Sequence, residues 1–167
     1  MIQKVSSLIA VDPGSTNAGI AYFEHEKLIA SEQLKFKPKD SFYNRLRGLK
    51  SSVEKFLSNY GAMDYIALET QFIGFNPQAG IKIAQARGVI LALAFDYDVK
   101  IIDISPQETR SYYGVKGNSK KQAYQDIVKL EFQDSVIKGE DEADAIAIGS
   151  TAINKIKQAN LYEKSIK

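Results

Sequence analysis

The chain has 167 residues, 44% of them hydrophobic and 25% charged, which fits one globular domain with a single sizeable core. It holds no cysteine and a single histidine, so disulfides, thiolate metal sites and cysteine nucleophiles are excluded, and a zinc centre lacks the ligands it needs. The net charge of +2 is too small to identify a nucleic-acid partner. Nothing has the length of a membrane span or the pattern of a secretion signal, so a cytoplasmic location is expected.

Residues 5–11 read as a short buried strand that runs into the turn Asp12-Pro13-Gly14. Residues 18–23 and 28–34 alternate as the two strands of a hairpin with Glu24-His25-Glu26 at its tip. A lone turn histidine is far more often a solvated residue than a catalytic base. Ser41 is positioned to cap a helix reaching Tyr60, because Phe42, Leu46, Leu49, Val53 and Phe56 step by three and four and Gly61 stops the pattern. Residues 65–68 form another buried strand, ending at Glu69. A loop over 70–78 carries Phe72 and Phe75, and a long helix follows to about Phe95. Residues 100–104 are the next strand, and Ser105-Pro106 opens a short helix with proline in its tolerated first turn. Ser119 is expected to cap a helix to Phe132, and a last helix spans about 140–157. The order β-β-β-α-β-α-β-α-α-α predicts one α/β domain over 1–167: a mixed five-stranded sheet with an N-terminal antiparallel hairpin and helices on both faces.

Asp12 and Glu69 stand where buried strands end, and in open α/β sheets ligand chemistry gathers at the carboxyl ends of strands. Asp141 and Asp144 lie three apart at the start of the last helix, hence on one face. Each acid alone has an ordinary explanation, in a turn or at a helix N-terminus favoured by the dipole. Together they predict a convergent site. Two carboxylates about 4 Å apart repel by roughly 4 kcal/mol at an effective dielectric near 20, and divalent cations remove that cost. All-oxygen ligands select magnesium or manganese, and two such ions ~3.5–4 Å apart suit an in-line phosphoryl displacement. Two bound ions would also carry the formal charge from +2 to about +6, favouring a polyanionic substrate. Glu140, four residues before Asp144, competes with Asp141 as the third ligand.

Two basic stretches differ in weight. The one from Lys35 to Lys50 reads as solvated surface. The other, Arg110, Lys116, Lys120 and Lys121 interleaved with Tyr112 and Tyr113, is placed to meet an anionic substrate. In the long helix Gly80, Ala84, Gly88 and Ala92 recur every four residues, a small-residue stripe that admits another backbone, either the sheet or a second helix.

Four segments in order resemble the motifs of the RuvC-type Holliday junction resolvases: Leu8-Ile9-Ala10-Val11-Asp12-Pro13-Gly14-Ser15, Glu69-Thr70-Gln71-Phe72, Gln85-Ala86-Arg87-Gly88 and Asp141-Glu142-Ala143-Asp144-Ala145-Ile146-Ala147-Ile148. The resemblance covers about the first 150 residues. It implies an RNase H-like fold and a homodimer whose two sites nick opposed strands of a four-way DNA junction. The four catalytic acids map to Asp12, Glu69, Asp141 and Asp144, with Asp141 preferred over Glu140 on motif spacing. The basic residues near the scissile phosphate map to Arg110 and Lys120, and the base-stacking aromatic to Phe72.

Two departures are visible. Arg110 stands where the family usually has lysine, which keeps charge but changes donor geometry. The loop around Lys116 is one residue longer, so Lys121 competes with Lys120. A nuclease acting on RNA or RNA–DNA hybrid is the enzyme alternative, against which the Phe72 loop and the Gln-Ala-Arg-Gly helix weigh. An actin-like kinase or ATPase shares the Asp-x-Gly-Ser/Thr loop but usually needs two such domains. A junction-binding protein without activity would follow only if the acids failed to assemble.

Overall fold

The computed structural model describes residues 5–37, 39–61, 63–70, 76–116 and 119–165. The N-terminal half runs β1 (Ser7–Asp12), β2 (Asn17–Glu24), β3 (Lys27–Lys35), α1 (Phe42–Tyr60) and β4 (Tyr65–Glu69). The remainder is α2 (Pro77–Asp96), β5 (Lys100–Ile104), α3 (Pro106–Tyr112), α4 (Gln122–Glu131) and α5 (Glu140–Ser165). The local signals explain most of these bounds. Ser41 accepts a hydrogen bond from the Asn44 amide at 3.2 Å and Gly61 ends α1 at φ 77°, while Ser105 and Glu108 close a reciprocal capping box on α3. His25 and Glu26 form the two-residue hairpin tip at φ 48° and 70°, the left-handed backbone that such a turn requires.

The strands form one sheet in the order β3-β2-β1-β4-β5. β1 pairs antiparallel with β2 and β2 with β3, whereas β1, β4 and β5 are parallel, so these three point their carboxyl ends the same way. This is the mixed five-stranded sheet with an N-terminal hairpin that the order of elements predicts. Side chains alternate between two cores. Leu8, Ala10, Tyr65, Ala67 and Ile104 pack beneath α4 and α5, with Tyr124, Val128 and Ile146. Ile9, Val11, Ile66 and Leu68 pack beneath α1 and α2, with Leu49, Val53, Ile90 and Leu93. Asp12 continues the alternation of Leu8 and Ala10, and Glu69 that of Tyr65 and Ala67. Both acids therefore face the α5 side. Val11 pairs with Leu68, which puts them one step beyond the last registered pair of neighbouring strands.

Two glycines of different elements seat α5. A Cβ on Gly19 of β2 would lie 1.7 Å from the Asp141 carbonyl oxygen, and one on Gly149 would lie 2.2 Å from Phe23 Cε2. Only glycine permits so close a backbone approach. Since Gly19 pairs with Asp12 in the sheet, this contact brings the first turn of α5 beside Asp12.

Two helix bounds and one helix face differ from the sequence pattern. α5 extends to Ser165, eight residues past 157, because its polar end has neither glycine nor proline to stop it. α4 begins at Gln122 rather than at Ser119, and its cap, Lys121, makes no side-chain capping bond. The Ser119 amide instead donates to Lys116 O at 2.9 Å and the Ala123 amide to Lys120 O at 3.1 Å, a turn that precedes the helix. The stripe on α2 divides. Gly80 is buried, while Ala84, Gly88 and Ala92 are exposed, and the sheet contact is made by Ala86, Ile90, Leu93 and Ala94.

Candidate active site

Three elements supply the acids: β1 ends in Asp12, β4 in Glu69, and the first turns of α5 carry Asp141 and Asp144. Asp144 is 6% exposed and fully engaged. Its Oδ1 accepts from Tyr124 Oη and Gln125 Nε2, both at 2.8 Å, and its Oδ2 from Lys121 Nζ at 3.1 Å. Burying a carboxylate is costly unless such bonds replace its hydration, and α4 exists on this face to provide them. Asp141, half-buried, accepts from Gln33 Nε2 at 2.7 Å through one oxygen. Its neighbour Glu142 is buried and accepts from Ser31 Oγ at 2.6 Å and the Lys138 amide at 2.7 Å. These bonds pin the start of α5 to β3. Glu140 is exposed, one position round the helix from Asp141.

The electrostatics show which acids share the site. Burial, followed by the charge of Asp144, pushes the Asp12 carboxyl up to about 8 against the pull of Lys121, with Glu69 and Asp141 adding to the rise. Burial likewise raises Glu69, whose field comes from Lys121, Asp144 and Arg110. For Lys121, burial works to lower its pKa, but Asp144, Asp12 and Glu69 outweigh it and hold the ammonium charged far above neutrality. Burial and Asp144 together raise the Tyr124 hydroxyl, which stays a proton donor. Asp12, Glu69, Asp144 and Lys121 thus feel one another strongly.

Lys121, its side chain 47% exposed, is the lysine that pairs with Asp144, whereas Lys120, to which the resemblance maps this role, and Lys116 are also exposed. Arg110, on α3, lies within the field of Glu69, and its Nε is buried with no hydrogen-bond partner among the described residues. Its Nη1 donates to the Pro106 carbonyl at 3.4 Å. Phe72 and Phe75 lie outside the described residues.

Among the described residues no three acidic side chains stand close enough to enclose a metal ion as arranged. The donor set nevertheless fits a hard cation. Asp12, Glu69 and Asp144 share the ammonium of Lys121, and their negative charge adds to burial in pushing Asp12 up to about 8. A divalent cation supplies the missing charge through the oxygen ligands that magnesium and manganese prefer. Tyr124, Gln125 and Gln33 were not singled out in the sequence. Their one local signal is Gln125, a polar residue on the buried face of α4 next to Tyr124 and Val128.

Comparison with known proteins identifies the family. The family model for the crossover junction endodeoxyribonuclease RuvC matches residues 8–152. The crossover junction endodeoxyribonuclease RuvC of Rickettsia typhi is 30% identical over 151 residues, spanning 87% of this chain and 96% of that relative. The RuvC of Chlamydia muridarum is 31% identical over 149 residues, spanning 84% and 87%. Among solved structures, T. thermophilus RuvC in complex with Holliday junction substrate superimposes with a TM-score of 0.78 at 20% identity, covering 92% of this chain and 96% of that one. Fold, strand-end acids and sequence match converge on a single assignment: the chain belongs to the RuvC family of crossover junction endodeoxyribonucleases.

Proposed function

We propose that this protein is a metal-dependent endodeoxyribonuclease that resolves four-way DNA junctions by paired nicking of opposed strands. The observation that carries the reading is the meeting of Asp12, Glu69 and Asp144 around Lys121 at the carboxyl ends of two parallel strands. Asp12, Glu69, Asp141 and Asp144 would hold the divalent ions, magnesium or manganese and two per site. Bound there, such ions would supply the Lewis acidity that an in-line phosphoryl displacement by water requires.

The chain's own residues do the rest. Tyr124 and Gln125 orient Asp144, and Gln33 orients Asp141, each leaving the acid little rotational freedom. Arg110 brings positive charge beside Glu69 for a phosphate oxygen, and Lys121 supplies the second positive charge there, the role the motif implies for Lys120. Lys116 and Lys120, both exposed, attract the DNA backbone at longer range. Phe72 stacks on a base unpaired at the branch, as the motif implies, a contact indifferent to sequence.

Paired nicking needs two sites. The outer face of α2 supports a twofold dimer: Ala84, Gly88 and Ala92 are exposed beside Ile81 and Phe95, 49% and 71% exposed, and a Cβ at Gly88 meets nothing within 4 Å. No helix among the described residues is long and apolar enough to cross a membrane, and a cytoplasmic enzyme acting on DNA is the reading we adopt.

The test is cleavage of a synthetic four-way junction beside linear duplex and RNA–DNA hybrid, with magnesium, with manganese and with chelator. Symmetric, metal-dependent cutting of the junction is expected. Preference for the hybrid would overturn the assignment in favour of an RNA-directed nuclease.

A further inference from the structure

Arg87 lies on α2, in the segment Gln85-Ala86-Arg87-Gly88, and none of the chemistry above uses it. Its side chain is only 14% exposed. Nη1 donates to the backbone carbonyl of Glu69 at 2.8 Å, and Nη2 pairs with the carboxylate of Asp103 on β5. The Glu69 carbonyl lies past Val11–Leu68, the last registered pair between β1 and β4, so a donor from outside that ladder must satisfy it. Just beyond, the Thr70 amide donates to Ile104 O at 2.8 Å, which ties the same peptide to the edge strand. On the opposite face Lys155 of α5 donates to Asp103 O at 2.9 Å and pairs with Glu108 of α3 at 2.7 Å. A chain of polar contacts therefore runs from α2 through Glu69 and Asp103 to α5 and α3.

We infer that Arg87 is a positioning residue for the reaction: its two-pronged guanidinium fixes the Glu69 peptide, and with it the direction in which the Glu69 carboxylate meets Asp12 and Asp144. The physical ground is the geometry of the fork. A planar guanidinium satisfies a carbonyl and a carboxylate at once and holds their separation, whereas an ammonium is a point donor that cannot impose both. Glu69 is a strand-end residue whose backbone is not held by pairing with β1, and a misplacement near 1 Å costs reacting groups on the order of a hundred-fold. The inference rests on the metal-dependent reading of the site, and its readouts are chosen to separate the two.

The experiment compares Arg87→Lys, Arg87→Ala and Asp103→Asn with the native protein. It measures stability with and without manganese, junction binding in chelator, and the manganese dependence of single-turnover cleavage. Arg87→Lys and Arg87→Ala are expected to bind the junction normally, to lose at least half of the manganese-induced rise in melting temperature, and to need several-fold more manganese for half-maximal cutting. Turnover at saturating manganese should fall ten-fold or more. Asp103→Asn should shift the same quantities in the same direction by less. Native metal response and native turnover in Arg87→Lys would overturn the inference. So would weaker junction binding at an unchanged metal response, which would make Arg87 a DNA contact. If Arg87→Ala unfolds, Arg87→Lys and Asp103→Asn carry the test. A native protein that manganese stabilises but that cuts no junction would refute the proposed function while leaving the role of Arg87 measurable.

Discussion

Gly19→Ala should disable the enzyme through one methyl group, and the structure sets the size of the effect. The added Cβ would sit 1.7 Å from the Asp141 carbonyl oxygen and 3.0 Å from Ala145 Cβ. Both are held by α5, so the helix must retreat by about 1.3 Å for the oxygen to reach even a 3.0 Å contact. Overpacking of this kind costs ~1–3 kcal/mol. For a chain of this length that corresponds to a fall in melting temperature of roughly 2–12 °C. The larger effect is local. Asp141 and Asp144 ride on the first turns of α5, and a displacement near 1 Å at the reacting groups predicts turnover lower by on the order of a hundred-fold. Gly149→Ala is the control, because its Cβ meets Phe23 at 2.2 Å, two turns further along the same helix. It should destabilise comparably and slow cleavage far less. Thermal melts and single-turnover cleavage of a four-way junction, both in magnesium, measure the pair. If Gly19→Ala melts and cuts like the native protein, or if both variants lose activity only in proportion to stability, the seating of α5 on β2 does not set the site.

Other expectations follow from the same geometry. Lys121→Ala should lower turnover by ten-fold or more with modest loss of binding, whereas Lys120→Ala should weaken binding slightly and reduce its salt dependence; the reverse ranking would return the catalytic role to Lys120. Asp12→Asn should abolish cleavage yet stabilise the protein in chelator at high pH. Asp12's folded pKa of about 8 lies above its unfolded value of 3.8, so native stability, intact below pH 4, should drain away as pH rises through 8, by a few kcal/mol, and the variant should escape this loss. Melts from pH 5 to 9 check it, and parallel curves for the two proteins would refute it. Gly88→Arg on the open face of α2 should fold normally but sediment as a monomer and nick junctions without pairing the cuts; a native protein that is itself monomeric at micromolar concentration would remove that face from the mechanism.

How far each feature is legible in the sequence depends on how local it is. Ser41 and Gly61 bound α1 and Ser105 opens α3 as the pattern predicts, because caps and stops act within four residues of chain. Asp12 and Glu69 were legible as strand-end acids, since the runs before them are apolar and short. Ser119 failed as a cap because it is taken into a turn that precedes α4, its amide donating to Lys116 O at 2.9 Å. What the linear order could not convey is the rotation of each helix about its own axis. Residues 120 and 121 differ by about 100° around a helical turn, and only the docking of α4 against α5 turns Lys121 rather than Lys120 toward Asp144. The same holds for Glu140 and Asp141, whose order of exposure follows from Gly19 and Gln33 holding the start of α5 on the hairpin. The amino-acid sequence alone determined the elements, the strand-end acids and the family they resemble, because these are written in neighbouring residues. Tertiary structure alone decided which side chains face one another across the site, because that depends on contacts between segments from 23 residues apart, as Lys121 and Asp144, to 108, as Gln33 and Asp141.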